Sequence, residues 1–451
     1  MRVSVSFITI IITWVSFFSS SIKLKAGTNT SLSSKRLRVI ISSDFPPVNV
    51  CNGKNCTCEP SRCSDPDDVQ SMVRFLLYAN EFDIEALIAS SGTFANYADK
   101  THILDMLDLY DQVDENLRKH DPRYPTADYL RSVTFQGRSG TWGKSVVNNI
   151  GDGKDSEASE AIINVVDKPD PRPVYICVWG DCSNIAQAIW KVQNTRSKSE
   201  LETFLSKMRI YQIAHQDDTI DWLLNNFPNL FIIYSRTTYQ GMFGSNDTLS
   251  NLAWVNKNIR YNHGPLCGVY PPEAMSGTGV IEGDSPSFLW LVSANRGLND
   301  PDDPTQPSWG GQYRRNGTTK HYVDGPGGSS ISRWRPYYQA EFQERADWCV
   351  GALFIEDADC GMLPKEFELG QNYPNPFNSK TQIEYWIPKS SYLTLKVYNI
   401  LGQEITSLFE GFRNPGKYTV TFDASELSSG VYLYRMKIEN HTDFKKALLL
   451  K

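Results

Sequence analysis

Several aspartates lie next to apolar runs in this sequence, where their carboxylates could hold a cation. Asp44 follows the run LRVIISS, and the motif S-D-P-D-D places Asp65, Asp67 and Asp68 at the start of an amphipathic segment. Crowded carboxylates repel one another unless a cation neutralises them, and oxygen-only ligands suit Ca²⁺. A helix with acidic residues at its cap and in its first turn, and with no ligand, would show the same residues. Both interpretations stay open at this point.

The segments around these aspartates predict a β-α-β unit. Residues 37–41 form an apolar, β-branched run that is typical of a buried parallel strand. Residues 69–77 carry apolar side chains at helical spacing, and residues 84–89 form a second apolar run. Open α/β sheets bind ligands at the carboxyl ends of their strands, which is where Asp44 is expected.

Three more apolar runs predict strands at residues 174–179, 208–214 and 230–234, with helical segments between them. Strands that alternate with helices indicate an α/β fold with a doubly wound, mostly parallel sheet. Asp217, a candidate ligand-binding residue, follows the second of these runs, and Ser183 and Asn184 follow the first. Ser183 or Asn184 could be an ordinary helix cap.

The segment SDPDDVQSMVRFLLYANEFDIEALIASSGT resembles the aspartate-rich first loop of nucleoside hydrolases. It resembles more closely the nucleoside hydrolase-like family of bacterial cellulose-binding proteins, and the likeness extends over residues 36–362. The resemblance implies a sheet of nucleoside hydrolase type with one bound calcium ion. The implied calcium ligands are Asp44 or Asp65 in the first position, Asp67 or Asp68, the backbone carbonyl of Ser183, and Asp284. By the same resemblance, Asn184 caps the helix or hydrogen-bonds the ligand.

The resemblance also implies hydrolysis of a glycosidic C–N bond, with Asp44 or Asp65 as the general base. Nucleoside hydrolases commonly place a histidine, the acid for the leaving group, directly before the last calcium aspartate. Here that position is Gly283, and Glu282 and His263 are the candidates to replace the acid.

Two other activities fit the same resemblance. One is calcium-dependent binding of a glycan such as cellulose without catalysis, and the other is hydrolysis of an O-glycosidic bond. Trp309, beside two glycines, is a candidate to stack on a sugar in the cleft, although tryptophans also pack in cores. The expected ligand is a small nucleoside-like or sugar-like molecule, or a glycan.

Nine cysteines fit an oxidising destination. Four of them form a C-x4-C-x-C-x4-C pattern within an insert at residues 51–63, which predicts two disulfides, with a structural zinc site as the alternative. We also predict that Cys349 pairs with Cys360 and Cys177 with Cys182, which leaves Cys267 as a buried thiol.

The two ends of the chain predict its destination. Residues 1–26 read as a signal peptide, and their apolar core is too short for a comfortable membrane span. From residue 367 to 451, short alternating strands separated by Pro, Gly and Asn predict a small all-β sandwich. The motifs NYPNPFN, LKVYNILGQEI and LSSGVYLYRM resemble the C-terminal sorting domain of type IX secretion. That resemblance implies export by this machinery to the cell surface or the medium, followed by removal of the tail.

Charge and hydropathy limit the other partners. With a net charge of -6, a pI near 5.6 and no basic stripe, the chain is not expected to bind nucleic acid. No membrane span is expected once the signal peptide is removed.

Overall fold

The computed structural model of the protein describes residues 36–48, 51–52, 63–64, 66–94, 96–274, 277–350, 367–387, 391–413, 416–438 and 441–451. The predicted signal peptide, Asp65, Cys360 and most of the cysteine-rich insert lie outside these residues. Within the described part of the chain, no helix has the length and apolar character needed to cross a membrane.

An eight-stranded sheet is the centre of the first domain. The strands before residue 350 are β1 (Leu37–Ser43), β2 (Cys51–Asn52), β3 (Cys63–Ser64), β4 (Phe82–Ala89), β5 (Thr134–Gln136), β6 (Val174–Val178), β7 (Met208–Ile213), β8 (Phe231–Ser235), β9 (Glu273–Ala274), β10 (Gly277–Thr278), β11 (Tyr313–Arg315) and β12 (His321–Asp324). The central sheet has the order β11-β12-β8-β7-β6-β1-β4-β5, and only the β11–β12 pair is antiparallel. The five predicted strands are confirmed as β1, β4, β6, β7 and β8.

Helices cover both faces of this sheet. They are α1 (Asp67–Leu77), α2 (Lys100–His120), α3 (Ala127–Ser132), α4 (Val146–Asn149), α5 (Glu157–Asp167), α6 (Ser183–Thr195), α7 (Lys198–Ser206), α8 (Thr219–Asn226), α9 (Leu252–Val255), α10 (Gly264–Gly268), α11 (Pro286–Asn295), α12 (Ser329–Ser332) and α13 (Arg335–Asp347). Val39 and Ile41 of β1 pack in a core with α1, α2 and α11, whereas Ile40 packs in a second core with α5 and α6. Alternate residues of one strand thus bury themselves on opposite faces, which confirms the doubly wound α/β fold.

Helix α1 begins directly after Pro66 and has Asp67 and Asp68 in its first turn. Proline suits the start of a helix because its ring already holds a helical φ angle, and the helix dipole favours acidic side chains there. The apolar face of α1, including Val69 and Met72, is fully buried. Burial of this face fixes the helix so that its acidic N-terminus lies at the carboxyl end of β1.

Two antiparallel sheets form the C-terminal domain. Its strands are β13 (Glu368–Leu369), β14 (Lys380–Ile387), β15 (Ser391–Tyr398), β16 (Glu404–Arg413), β17 (Gly416–Asp423), β18 (Gly430–Ile438) and β19 (His441–Leu449). One sheet has the order β13-β14-β17 and the other β16-β15-β18-β19. Ile383 and Tyr385 of the first sheet share a buried core with Leu395 and Val397 of the second. The predicted all-β domain is confirmed.

One predicted disulfide is wrong. Cys177 and Cys182 are both free and buried, and they pack in the cores on opposite faces of the sheet. The Cys177 thiol donates to the carbonyl of Ser287 at 3.1 Å, and the Cys182 thiol donates to Oε1 of Gln212 at 2.7 Å. Four residues, 179–182, connect β6 to α6, and this turn carries the second cysteine to the other face.

The remaining cysteine predictions concern residues that are described only in part. The backbones of Cys51 and Cys63 lie opposite each other in the β2–β3 pair. The side chains of the four insert cysteines lie outside the described residues. Cys360, the predicted partner of Cys349, also lies outside the described residues. Cys267 is buried as expected, with its Sγ 3.8 Å from the Sγ of Cys349.

Candidate metal and ligand site

Three carboxylates from distant parts of the sequence converge at the carboxyl end of the central sheet. Asp67 and Asp68 lie in the first turn of α1, and Asp284 lies two residues before the start of α11. One carboxylate oxygen from each residue lies within 4.8 Å of the other two. Asp68 and Asp284 are almost fully buried, at 5% and 4% exposure. The arrangement brings together three acidic oxygens at a distance that a single cation could span.

Backbone and hydroxyl donors hold two of these carboxylates. Ser43, the last residue of β1, donates from Oγ to Oδ1 of Asp68 at 2.5 Å. The backbone N–H of Gly283 donates to Oδ2 of Asp67 at 3.2 Å. Donors of this kind orient metal ligands in the way that outer-shell partners do in known sites.

Gly283 has no room for a side chain. A Cβ atom at this position would lie 2.6 Å from Oδ2 of Asp67, well inside contact distance. This is the position where the resemblance to nucleoside hydrolases implies a histidine. A side chain at this position, histidine included, would therefore fit only if the Asp67 carboxylate moved.

Asp44 directly follows β1 and is 2% exposed. It lies outside the group of three carboxylates but faces the same cavity. Gly92 packs so closely against Asp44 that a Cβ atom on Gly92 would lie only 2.2 Å from Oδ2 of Asp44. A glycine is needed at residue 92 for Asp44 to keep its position.

All four aspartates line one cavity of about 340 Å³. The residues that line it are Asp44, Asp67, Asp68, Phe94, Trp179, Ile213, Ala214, Gln216, Tyr239, Gln240, Phe243 and Asp284. Its size falls in the range of small-molecule sites. A larger cavity of about 710 Å³ lies beside α7, but Glu202 is the one acidic residue among its lining side chains. The acidic cavity is therefore the better candidate for chemistry.

Sequence reasoning missed the aromatic part of this cavity. The rings of Tyr239 and Phe243 pack edge to face, with centroids 6.0 Å apart, and Phe94 is 50% exposed. Gln216 ties the surrounding loops together by accepting from the N–H of Thr93 at 2.9 Å and donating to a carbonyl after β6. These residues lie just beyond the carboxyl ends of β4, β7 and β8. Their position directly after predicted strands is the signal that could have identified them. Only polar residues at these strand ends were chosen as site candidates.

Ser183 and Asn184 begin α6 and do not line the cavity. The N–H and Oγ of Ser183 both donate to Oδ1 of Asp181, at 3.1 and 2.7 Å. Oδ1 of Asn184 accepts from Oγ of Ser156 at 2.8 Å. Both residues are buried in the first turn of α6, but neither is its N-cap, because Cys182 holds that position and no side chain caps the helix. The alternative prediction of a helix cap at these residues is therefore wrong.

Asp217 forms part of a buried acidic pair with Asp181, next to the cavity rather than in its lining. Oγ1 of Thr219 donates to both oxygens of Asp217, at 2.8 and 2.7 Å. Burial and the charge of Asp217 raise the pKa of Asp181 to about 7, and burial also raises the pKa of Asp217. Two carboxyls this deeply buried keep a proton far more readily than exposed ones.

Glu282 is a structural residue in the described fold. It is fully buried and forms an ion pair with Arg74 of α1, whose Nη2 donates to Oε1 at 3.0 Å. The hydroxyl groups of Tyr270 and Ser285 also donate to it, at 2.6 and 2.7 Å. This network ties α1 to the segment before α11 and so holds Asp67 and Asp284 near each other. Glu282 does not line the cavity.

His263 and Trp309 also lie away from the cavity lining. His263 directly precedes α10, and its Nε2 lies 2.9 Å from Oδ1 of Asp347, the last residue of α13. Trp309 is 6% exposed and packs edge to face against Tyr338, as tryptophans in cores do. A different acidic group, formed by the exposed residues His215, Asp218 and Asp221, lies after β7.

Comparisons with known proteins identify the family of this chain. Residues 61–313, more than half of the chain, match the family model described as cellulose-binding Sde182, nucleoside hydrolase-like domain. The chain belongs to this family. Residues 371–450 match the secretion system C-terminal sorting domain. The protein is thus exported by type IX secretion to the cell surface or the medium.

One solved structure has the same fold. It is a nucleoside hydrolase-related hypothetical protein from Saccharophagus degradans that is associated with carbohydrate metabolism. It is 27% identical to this chain with a TM-score of 0.59, and the match covers 92% of this chain and 99% of that one. An FMN-binding β-glucuronidase from Facaelibacterium prausnitzii matches with 10% identity, 85% and 53% coverage of the two chains and a TM-score of only 0.19, which carries no argument. A comparison with curated proteins finds no match.

Proposed function

We propose that this protein binds Ca²⁺ through Asp67, Asp68 and Asp284 and hydrolyses a glycosidic bond in the adjoining cavity. The substrate class is a nucleoside-like molecule or a related sugar with a vicinal diol. The observation that carries the proposal is the convergence of the three carboxylates at the carboxyl end of the sheet. The family, and the carbohydrate association of the Saccharophagus protein, support a sugar ligand.

The residues present fit a calcium ion. The donors are carboxylate oxygens, which Ca²⁺ prefers, and two of the three residues are nearly buried. Three negative charges so close together in a poorly solvated place are costly unless a cation neutralises them. When bound, calcium supplies coordination positions for the hydroxyl oxygens of a sugar diol. The hydrogen bonds from Ser43 and Gly283 hold Asp68 and Asp67 in orientation for this role.

Asp44 is the general base in this proposal. It faces the same cavity but lies outside the group of three, which favours a catalytic role over a place among the ligands. As a base it would take the proton of the attacking water. The aromatic rings of Phe94, Tyr239 and Phe243 offer apolar faces for the sugar or its leaving group.

A second candidate is calcium-dependent glycan binding without turnover. Gly283 favours it, because glycine supplies no leaving-group acid at the position where the resemblance to nucleoside hydrolases implies a histidine. Among the described residues that line the cavity, Tyr239 is the one titratable group besides the four aspartates. A binding protein would need no acid at all.

Hydrolysis and binding are separated by one set of assays. Release of p-nitrophenol from the β-D-riboside and cleavage of purine nucleosides are measured with calcium and with EGTA, and retention on insoluble cellulose is measured in parallel. A hydrolase loses turnover in the Asp44→Asn variant while keeping its calcium affinity, and in Asp284→Asn it loses both.

The other outcomes are equally clear. Calcium-dependent retention on cellulose without turnover on any substrate would establish the second candidate. If neither turnover nor retention depends on calcium, both candidates are wrong.

A further inference from the structure

We propose that Cys267 and Cys349 form a disulfide in the exported protein. Their sulfur atoms lie 3.8 Å apart, at van der Waals contact, although the residues are 82 positions apart in the sequence. Cys267 lies in α10, and Cys349 follows α13 closely. This pairing differs from the sequence prediction, which joined Cys349 to Cys360.

The surroundings of the two thiols favour this pair. Cys267 and Cys349 are 0% and 2% exposed. A Cβ atom added to Gly264 would lie 3.5 Å from Cβ of Cys349, which shows how closely the two segments approach. Nδ2 of Asn116 donates to the carbonyl of Cys349 at 3.1 Å and holds its backbone in place.

The other two buried thiols differ from this pair. Cys177 and Cys182 each lie near an oxygen acceptor, at 3.1 and 2.7 Å. The sulfur of Cys267 instead has the sulfur of Cys349 as its neighbour at 3.8 Å, and the Cys349 sulfur lies a similar 3.9 Å from the carbonyl oxygen of Arg345. Two thiols in such contact need only a small side-chain rotation to reach bonding distance.

Export places the chain where this bond is stable. The sorting domain at residues 371–450 directs the protein out of the cytoplasm, and disulfides persist in such compartments. The bond forms by thiol–disulfide exchange with a small or protein-borne disulfide oxidant. One cysteine thiolate attacks the oxidant and releases one of its thiols, and the second cysteine then displaces the other thiol. The two cysteines lose two electrons and two protons, and the oxidant is reduced to two thiols.

The bond would stabilise the part of the domain that carries Asp284. It closes a loop that contains α11 and α13 and fixes the end of the last helix to α10. Residues 351–366 and the sorting domain follow directly. A cross-link at this place keeps the end of the domain from fraying after the tail is removed.

Peptide mapping of the secreted protein tests the pairing. The protein is alkylated without reduction and digested with trypsin and then with a glutamate-specific protease. The second protease cuts after Glu356 and so separates Cys349 from Cys360. A linked pair of peptides that contain Cys267 and Cys349, two mass units lighter than their sum, supports the proposal. Alkylation of both cysteines, or a link from Cys349 to any other cysteine, overturns it.

Thermal unfolding with and without reductant gives an independent measurement. A disulfide that closes a loop of this length should raise the melting temperature by roughly 10 °C, and reductant should remove that gain. The Cys267→Ser variant should lose this part of the reductant effect, whereas the matched control Cys177→Ser should keep it. An equal reductant effect in wild type and Cys267→Ser contradicts the proposal. The mapping of the wild-type protein decides the question even if the variant fails to fold.

Discussion

Replacing Gly283 with alanine tests how the backbone positions Asp67. The added Cβ atom would lie 2.6 Å from Oδ2 of Asp67, whereas ordinary contact begins near 3.4 Å. The carboxylate would thus have to move by about 0.8 Å, which is several times the roughly 0.2 Å tolerance of metal–ligand distances. We expect calcium affinity to fall by about 10- to 100-fold, as it does when outer-shell partners are lost.

The assay is thermal or denaturant unfolding as a function of calcium concentration. At a concentration one hundred times the wild-type Kd, binding stabilises the wild type by about 2.7 kcal/mol. A variant with 30-fold weaker affinity gains only about 0.9 kcal/mol at the same concentration. The control is Gly268→Ala, because a Cβ atom at Gly268 meets nothing within 4 Å. Calcium stabilisation that is equal in Gly283→Ala and wild type would refute the reasoning.

Three further predictions follow from the same geometry. Gly92→Ala should displace Asp44 and lower turnover by about 100-fold, with little change in calcium affinity. A loss of calcium affinity with unchanged turnover would contradict the role of Asp44 as the base. Glu282→Gln should leave Arg74 buried without a countercharge and lower the free energy of unfolding, measured by urea titration, by about 3–5 kcal/mol. A decrease in this free energy of less than about 1 kcal/mol would contradict the prediction. Because burial and the charge of Asp217 raise the pKa of Asp181 from 3.8 to about 7, the folded state holds this proton more tightly than the unfolded chain. The free energy of unfolding should therefore fall, by at most about 4 kcal/mol, as the pH rises from about 4 to about 7. Asp217→Asn should reduce this fall when the free energy of unfolding is measured between pH 4 and 8.

The fold was largely predictable from the sequence because its signals are local. Each central strand is a short apolar run, and α1 shows both its apolar face and its acidic first turn. The edge strands β5 and β11, and β12 next to β11, were missed because each has only three or four residues and little apolar character. The tail strands alternate regularly, so their pattern was readable as well.

The candidate site was predictable only in part. Asp67 and Asp68 were conspicuous as acidic residues in the first turn of a helix between two strands, whereas Asp284 was identified only through the resemblance to nucleoside hydrolases. Glu282 was misjudged because nothing in the local sequence shows that Arg74, 208 positions away, would pair with it. Such long-range partners decide whether a carboxylate faces a ligand or an ion pair, and they appear only when the chain is folded.

Trp309 shows the same limit for aromatic residues. The two glycines that follow Trp309 suggested an exposed loop, yet the ring packs against Tyr338 in the core. Phe94, which no motif marks, lines the cavity instead. Composition does not distinguish an aromatic residue in a core from one in a cleft, since both are equally apolar.

Calorimetric titration with Ca²⁺ tests the central claim most directly. We predict one binding site per chain in the wild type, and binding weaker by at least about 100-fold in Asp284→Asn, since a charged ligand is lost. The control is Asp221→Asn, which removes one carboxylate from the exposed group after β7 and should leave the binding unchanged. No calcium binding by the wild type, or binding that Asp284→Asn leaves intact, would contradict the assignment of this cluster as a calcium site.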